Sequence, residues 1–212
     1  MKRAISIILF GVFAGLWLVP VASTAAGLKG RLGGGLKIGF ALTDIHGSDV
    51  RDFPYYDDPD TSWAPTFGFC GGGFITVGLT EKAAIQAEAL VSTKGSAQLG
   101  IYDVYAFKTT YLEIPVLMKF VSPIGRSSAS LFAGPALAIL LSSGMTNDGE
   151  PIPFERFRST DWGIVLGLDW AIRSRVVIDI RYTIGESKFI EMDGEPLAIK
   201  NTAITLMVGY IF

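Results

Sequence analysis

The residues that carry most redox and nucleophilic chemistry are nearly missing: the 212-residue chain has one cysteine and one histidine. Lone Cys70 cannot close an internal disulfide, and inside a glycine-rich apolar run it reads as a small buried filler. There is no zinc-ligand spacing and no phosphate-cradling glycine motif, so no cofactor and no metal are expected. Charge is scarce too. Only 18% of residues are charged, the net charge is −2, and no basic stripe occurs, which excludes nucleic acid as a partner class. Long apolar runs are confined to the N-terminus, so membrane helices of roughly 20 residues are excluded elsewhere.

What is present is apolar residues, half of the chain, together with 25 glycines. A chain this hydrophobic and this weakly charged folds or inserts; it does not stay disordered. Lys2 and Arg3 precede an almost uncharged stretch from Ala4 to Val21 that ends in the small residues Ser23, Thr24 and Ala25. Residues 1–25 are therefore read as a cleaved secretory signal and 26–212 as the mature domain. No cysteine near the cut offers a lipid anchor.

Beyond the signal the hydrophobic period is two, not 3.6, and it recurs in eight segments. One face of residues 35–43 carries Leu36, Ile38, Phe40 and Leu42, and the other Lys37, Gly39 and Ala41. Later segments repeat the contrast: Leu112, Ile114, Val116 and Met118 oppose Glu113 and Lys119, and Trp162, Ile164, Leu166 and Leu168 oppose Asp161, Gly163 and Gly167. Long polar connections are expected over about 44–66, 95–109, 143–160 and 186–200, and short ones near 80–83, 121–128 and 173–174. Four long connections alternating with three short ones describe an up-and-down meander. The expected fold is all-β, an eight-stranded antiparallel transmembrane β-barrel with long extracellular loops and short periplasmic turns.

Alternation alone does not say which face is inside. The interior of a small barrel is crowded, and here the glycines share a face with the charges while the bulky residues occupy the other, so the polar face is expected inside and the apolar face against lipid. Phe67, Phe120, Trp162, Trp170, Tyr182 and Tyr210 fall near strand ends, where membrane-interface aromatics belong. The chain ends in an alternating run through Tyr210 to a terminal Phe212, a pattern similar to the signal by which the outer-membrane barrel assembly machinery recognises its clients.

Several stretches together resemble a known family: Gly35-Leu36-Lys37-Ile38-Gly39, Gln86-Ala87-Glu88-Ala89-Leu90 followed by Lys94-Gly95, Tyr111-Leu112-Glu113-Ile114-Pro115-Val116-Leu117, Ala133-Gly134-Pro135 and Asp179-Ile180-Arg181-Tyr182. In this order they resemble the PorT-like, "porin family" outer-membrane β-barrel domain. The resemblance implies an eight-stranded barrel in the outer membrane of a Gram-negative cell, in a family whose members mostly lack an assigned activity. One branch is linked to protein secretion and gliding motility.

Lys37, Glu88, Lys94, Glu113, Lys119, Asp169, Asp179 and Arg181 share the inward parity, with Asp161 and, on the same count, Arg175. Near balance of sign in a narrow barrel predicts a salt-bridge network that fills the lumen. His46 lies near Asp44, Ser48 and Asp49, but neighbours along a loop do not make a catalytic constellation, and no enzyme activity is expected. The acidic run Asp57-Asp58-Pro59-Asp60 reads as a solvated loop in preference to a calcium site, and Phe53, Tyr55, Tyr56 and Trp63 accompany it. The expected role is a non-enzymatic structural or interaction protein of the cell outer membrane, acting through its extracellular loops. Its expected partners are membrane lipid, lipopolysaccharide, the assembly machinery and a protein at the loops. Two alternatives are a narrow porin-like channel for small solutes or ions and a soluble periplasmic lipocalin-like ligand-binding barrel.

Overall fold

The structure, a computed structural model, describes residues 30–47, 62–99, 104–152, 158–185, 191–192, 195–196 and 200–212. The signal segment lies outside these residues, as do Ser48, Asp49, Phe53, Tyr55, Tyr56 and the Asp57–Asp60 run. Of Trp63 only the backbone is described.

Eight long strands make the barrel: β1 Leu32–His46, β2 Ser62–Gly78, β3 Ala83–Leu99, β4 Val104–Ile124, β5 Ser127–Asn147, β6 Thr160–Ile172, β7 Val176–Gly185 and β8 Lys200–Ile211. Each pairs antiparallel with its sequence neighbours, and β8 pairs with β1, so the sheet closes with no free edge around its girth. Closure pairs every barrel strand on both sides, the condition for a strand to cross lipid. No helix among the described residues is long and apolar enough to cross a membrane. A three-residue strand, Glu150–Ile152, folds back on β5, and Glu191–Met192 pairs with Glu195–Pro196.

The register sets the width. A row that leaves β1 at Leu32 passes through Val77, Ile85, Met118, Ala133, Leu166, Tyr182 and Ile204 and returns to β1 at Leu42, ten residues on. Eight strands with that stagger tilt by about 40° and enclose a bore that side chains can just fill.

Faces follow the pleat. Lys37, Glu88, Glu113, Asp169 and Asp179 point inward and are buried, whereas Phe40, Phe67, Leu131, Leu206 and their neighbours on the same parity are exposed on the outside, Phe67 by 83%. This arrangement overturns the soluble lipocalin-like alternative, which needs the greasy face inside and the charges in water. In β5 the inward set is Ser130, Phe132, Ala136 and Ala138 at even positions, but Met145 at an odd one. The switch arises at a bulge, where Thr110 faces Ser142 and Tyr111 faces Leu140, leaving Leu141 as an extra residue. A second irregularity lies between Pro65 and Cys70 on β2. There the Thr43 hydroxyl donates to the Gly95 carbonyl (2.8 Å) and accepts from the Gly95 amide (3.0 Å), while the Phe69 amide donates to the Thr93 hydroxyl (2.7 Å), so backbone groups released by the bulge find side-chain partners.

Strand ends differ from the sequence expectation. The connection expected over 95–109 is spanned by β3 and β4 down to the four residues 100–103, and that over 143–160 begins only after Asn147, in a turn with Asp148 and Gly149 at positive φ. Val104, Tyr105, Phe107, Thr109 and Thr110 are β-favouring and continue the ladder into the expected connection. Arg175, counted with the inward charges, is exposed beside the β6–β7 turn instead, because the strand begins only at Val176.

Candidate functional site

Among the described residues the lumen is where buried charge collects, and register stacks that charge in layers. At the centre, Lys37 on β1 meets Glu88 on β3 and Asp179 and Arg181 on β7. The Lys37 ammonium donates to Glu88 Oε1 (3.1 Å) and Asp179 Oδ2 (2.6 Å). Arg181 spreads its guanidinium over both acids, with Nη1 on Glu88 Oε2 (2.7 Å), Nη2 on Asp179 Oδ2 (2.6 Å) and Nε on Asp179 Oδ1 (2.9 Å). Two cations and two carboxylates thus balance, as burial in a low-dielectric bore requires.

Toward the short-turn end, Lys119 on β4 pairs with Asp169 on β6 and donates to Gln86 Oε1 (3.1 Å). Gln86 also donates from Nε2 to Glu88 Oε1 and accepts from the Thr76 hydroxyl (2.9 Å). This amide joins the two layers into one hydrogen-bonded unit. Toward the long-loop end, Lys94 lies 2.6 Å from Glu113, and Asn201 donates to the buried Asp161 at 3.4 Å.

Aromatic rings seat the cations. Lys37 lies 4.9 Å from the Phe74 ring centroid, Lys94 5.5 Å from Tyr111, and Lys119 and Arg181 lie 5.9 and 5.2 Å from the same Phe132 ring. Phe132 is accommodated by Gly167, where an added Cβ would collide with its ring atoms. Sequence reading named the charges and passed over Gln86, Phe132 and Asn201. Gln86 has the parity of Glu88, and Phe132 that of Ser130, so the pleat carried the signal, but a neutral amide and a ring do not stand out in a census of charges.

The bore is not uniform along its length. Between the central and upper layers, beside Cys70, Ser92, Lys94 and Glu113, the residual void is ≈ 10 Å³, the space of about one water. Below the central layer a cavity of ≈ 210 Å³ opens at the turn end, with Phe74, Ala84, Val121, Val177 and Ile211 on its walls and Lys37, Gln86, Lys119 and Asp169 at its floor.

The aromatics sit outside. Phe67 and Trp162 lie toward the loop ends of β2 and β6, and Tyr182 three residues inside the loop end of β7; Phe120, Trp170, Tyr210 and Phe212 mark the turn end, all exposed. Tyr210 and Phe212 are in edge contact, their centroids 6.0 Å apart. His46 is exposed at the end of β1, while Asp44 accepts from the Ile45 amide (2.8 Å) and the Ser96 hydroxyl (3.4 Å). Among the described residues no three metal-ligating side chains gather.

Residues 22–191 match the model of the family described as outer membrane protein beta-barrel domain. That match describes the barrel domain as a whole and does not single out a PorT-like branch. Among solved structures, the chain is similar to the outer membrane protein OprG from Pseudomonas aeruginosa, at 13% identity over 90% of this chain and 99% of that one, with a TM-score of 0.48. It is also similar to Neisserial surface protein A, at 10% identity over 84% and 97% of the two chains, with a TM-score of 0.46. Ail, the attachment invasion locus protein of Yersinia pestis, aligns at 15% identity over 87% and 99%, with a TM-score of 0.41. No curated protein matches.

Proposed function

The chain belongs to the outer membrane protein β-barrel domain family and resides in the outer membrane, and from that premise we propose that it is a non-enzymatic anchor whose lumen is closed to solutes and whose recognition is done at the long-loop end. The observation that carries this reading is the contrast along the bore. The cavity of ≈ 210 Å³ opens at the turn end and ends against Lys37, Gln86, Lys119 and Asp169, whereas the void between the central and upper layers, beside Cys70, Ser92, Lys94 and Glu113, is ≈ 10 Å³. A hydrated ion needs a continuous wet path, and here the paired, ring-backed charges of the central cluster stand between the two spaces.

Planar-bilayer recording tests the proposal. The purified barrel is expected to give no steady conductance, and a steady conductance that changes on Glu113→Gln would overturn it. A narrow ion or proton path is the second reading, favoured by the hydrogen-bonded line Asp169–Lys119–Gln86–Glu88–Arg181. It requires ionic current or proton flux that falls on Glu88→Gln.

The loop-end partner is proposed to be a protein or lipopolysaccharide, captured by cross-linking through the first and third long connections. Tyr210 and Phe212 are proposed as the contact for the assembly machinery, supported by their exposure as a ring pair at the end of β8. Tyr210→Ala with Phe212→Ala is expected to lower the fraction of chain that reaches the folded, heat-modifiable form in cells, with folding of the purified chain in detergent little changed.

A further inference from the structure

Cations also gather at the short-turn end, beyond the charge layers of the lumen. Lys82 lies in the β2–β3 turn, Arg126 in the β4–β5 turn, Arg173 and Arg175 at the β6–β7 turn, and Arg31 immediately before β1. Because the strands run around the barrel in sequence order, these positions place a cation at every second strand, a full circuit of positive charge. Glu81 is the one acidic side chain of these turns among the described residues. Lys82, Arg126, Arg173 and Arg175 are exposed, and Arg31 is half-buried at the cavity mouth.

Two further observations give the collar a direction. Next along the strands, on the membrane side, come the exposed lipid-facing side chains Phe120, Trp170, Ile172, Val176 and Tyr210. Aromatics of this kind mark the depth of the lipid headgroups, so the cations lie at headgroup depth. In addition, Arg173 and Ser174 hold φ of 50° and 56° in the two-residue turn between Ile172 and Arg175. Turns of that shape take Asn-Gly with least strain, yet here an arginine occupies the left-handed position, and strain of this kind accompanies functional placement.

We propose that the basic collar binds the anionic headgroups of phospholipids in the leaflet that meets the turn end, the periplasmic leaflet in barrels built with short periplasmic turns. Cations spread around the circumference suit a ring of lipids, each held at the seam between a guanidinium or ammonium and an interfacial aromatic. A single acidic protein would be served by a patch on the end face.

The test is lipid selectivity of the full barrel in phosphatidylcholine vesicles, read by electron paramagnetic resonance of spin-labelled phosphatidylglycerol against spin-labelled phosphatidylcholine. Preference for phosphatidylglycerol is expected at about threefold in low salt and near unity in about 1 M salt, where the screening length is about 3 Å. The quadruple variant K82Q/R126Q/R173Q/R175Q is expected to lose the preference and the loop-end variant K108Q to keep it. Heat-modifiable mobility shows whether the quadruple variant is folded; the single variants R126Q and R175Q, each expected to lower the preference partly, decide the matter if it is not. Equal association of the two lipids with the wild-type barrel would overturn the proposal and leave the collar to an acidic protein. A preference that survives 1 M salt or the collar substitutions would overturn it as well.

Discussion

The central cluster makes a quantitative demand that two substitutions can check. Lys37 and Glu88 lie 3.1 Å apart with side chains fully withdrawn from solvent, and Arg181 and Asp179 complete a balanced set of two cations and two acids. At an effective dielectric of about 20, one such contact is worth about 5 kcal/mol of Coulomb energy, offset by the desolvation of both ions. Removing one partner leaves the desolvation of the other uncompensated. Glu88→Leu leaves the cluster one positive charge in excess, and Lys37→Met leaves it one negative charge in excess. Each is expected to cost about 3–5 kcal/mol. The double variant restores neutrality and leaves the Arg181–Asp179 contact at 2.6 Å in place, so its cost is expected to fall short of the sum by about 2–3 kcal/mol. Lys94→Met combined with Glu88→Leu is the control. The two positions are six residues apart on β3, about 20 Å along the strand, and their costs are expected to add within about 0.5 kcal/mol. The assay is urea unfolding of the barrel folded in phosphatidylcholine vesicles, followed by tryptophan fluorescence and by gel mobility without boiling. Single variants costing under about 1 kcal/mol, or a Lys37/Glu88 double equal to the sum of its parts, would refute the view that these four residues act as one ionic unit.

Three further outcomes follow from the same packing. Leu206→Arg, on the lipid-facing side of β8 and paired with Phe40 and Ile180, is expected to lose about 2–4 kcal/mol in the same unfolding assay, the penalty of a charge near the bilayer midplane. Gly167→Ala drives a methyl group against the Phe132 ring and the Ile180 carbonyl and is expected to cost about 1–3 kcal/mol; Phe132→Leu in the same chain should recover the part due to the ring, and a neutral Gly167→Ala would show that both ring and strand have room to move. Cys70 is buried in the bore, so maleimide is expected to label it in urea-unfolded chain and not in the vesicle-folded barrel, read by mass shift.

The closed eight-stranded barrel is legible in the alternation because a cramped interior and a lipid exterior demand opposite residue types, and the pleat separates them at every second position. Strand ends are less legible. Thr109, Thr110, Ser142 and Ser143 are polar enough to read as loop, yet β4 and β5 pair through them, since a hairpin above the membrane needs ladder partners and not lipophilicity. Arg175 shows the same limit from the other side: its parity matches Asp179, but one residue of turn removes it from the lumen. The Leu141 bulge reverses parity within a single strand with no turn residue to announce it. For the lumen, alternation conveys membership of a face and nothing about depth. It puts Lys37, Lys94 and Lys119 on one side; only register shows that Lys37 meets acids from β3 and β7, that Lys94 meets Glu113, and that Lys119 meets Asp169 across the bore.

Register also explains why the charges are layered. With a stagger of ten residues over eight strands, positions on the same horizontal level come from very different points along their strands, so a carboxylate meets cations across the bore as well as along its own strand, where Asp179 is held by Arg181. Lys119 and Asp169 come from β4 and β6, and Glu88 and Arg181 from β3 and β7. A pair that spans the lumen fixes two distant strands to one level, so each layer acts as a tie against slippage of the register, which in a sheet of period two would turn every apolar side chain on a strand from lipid into the bore. Balanced layers therefore serve closure of the barrel and closure of the lumen by the same contacts. That coupling is why neutralising one acid is expected to register first as lost stability, with conductance following only if the tie it belonged to gives way.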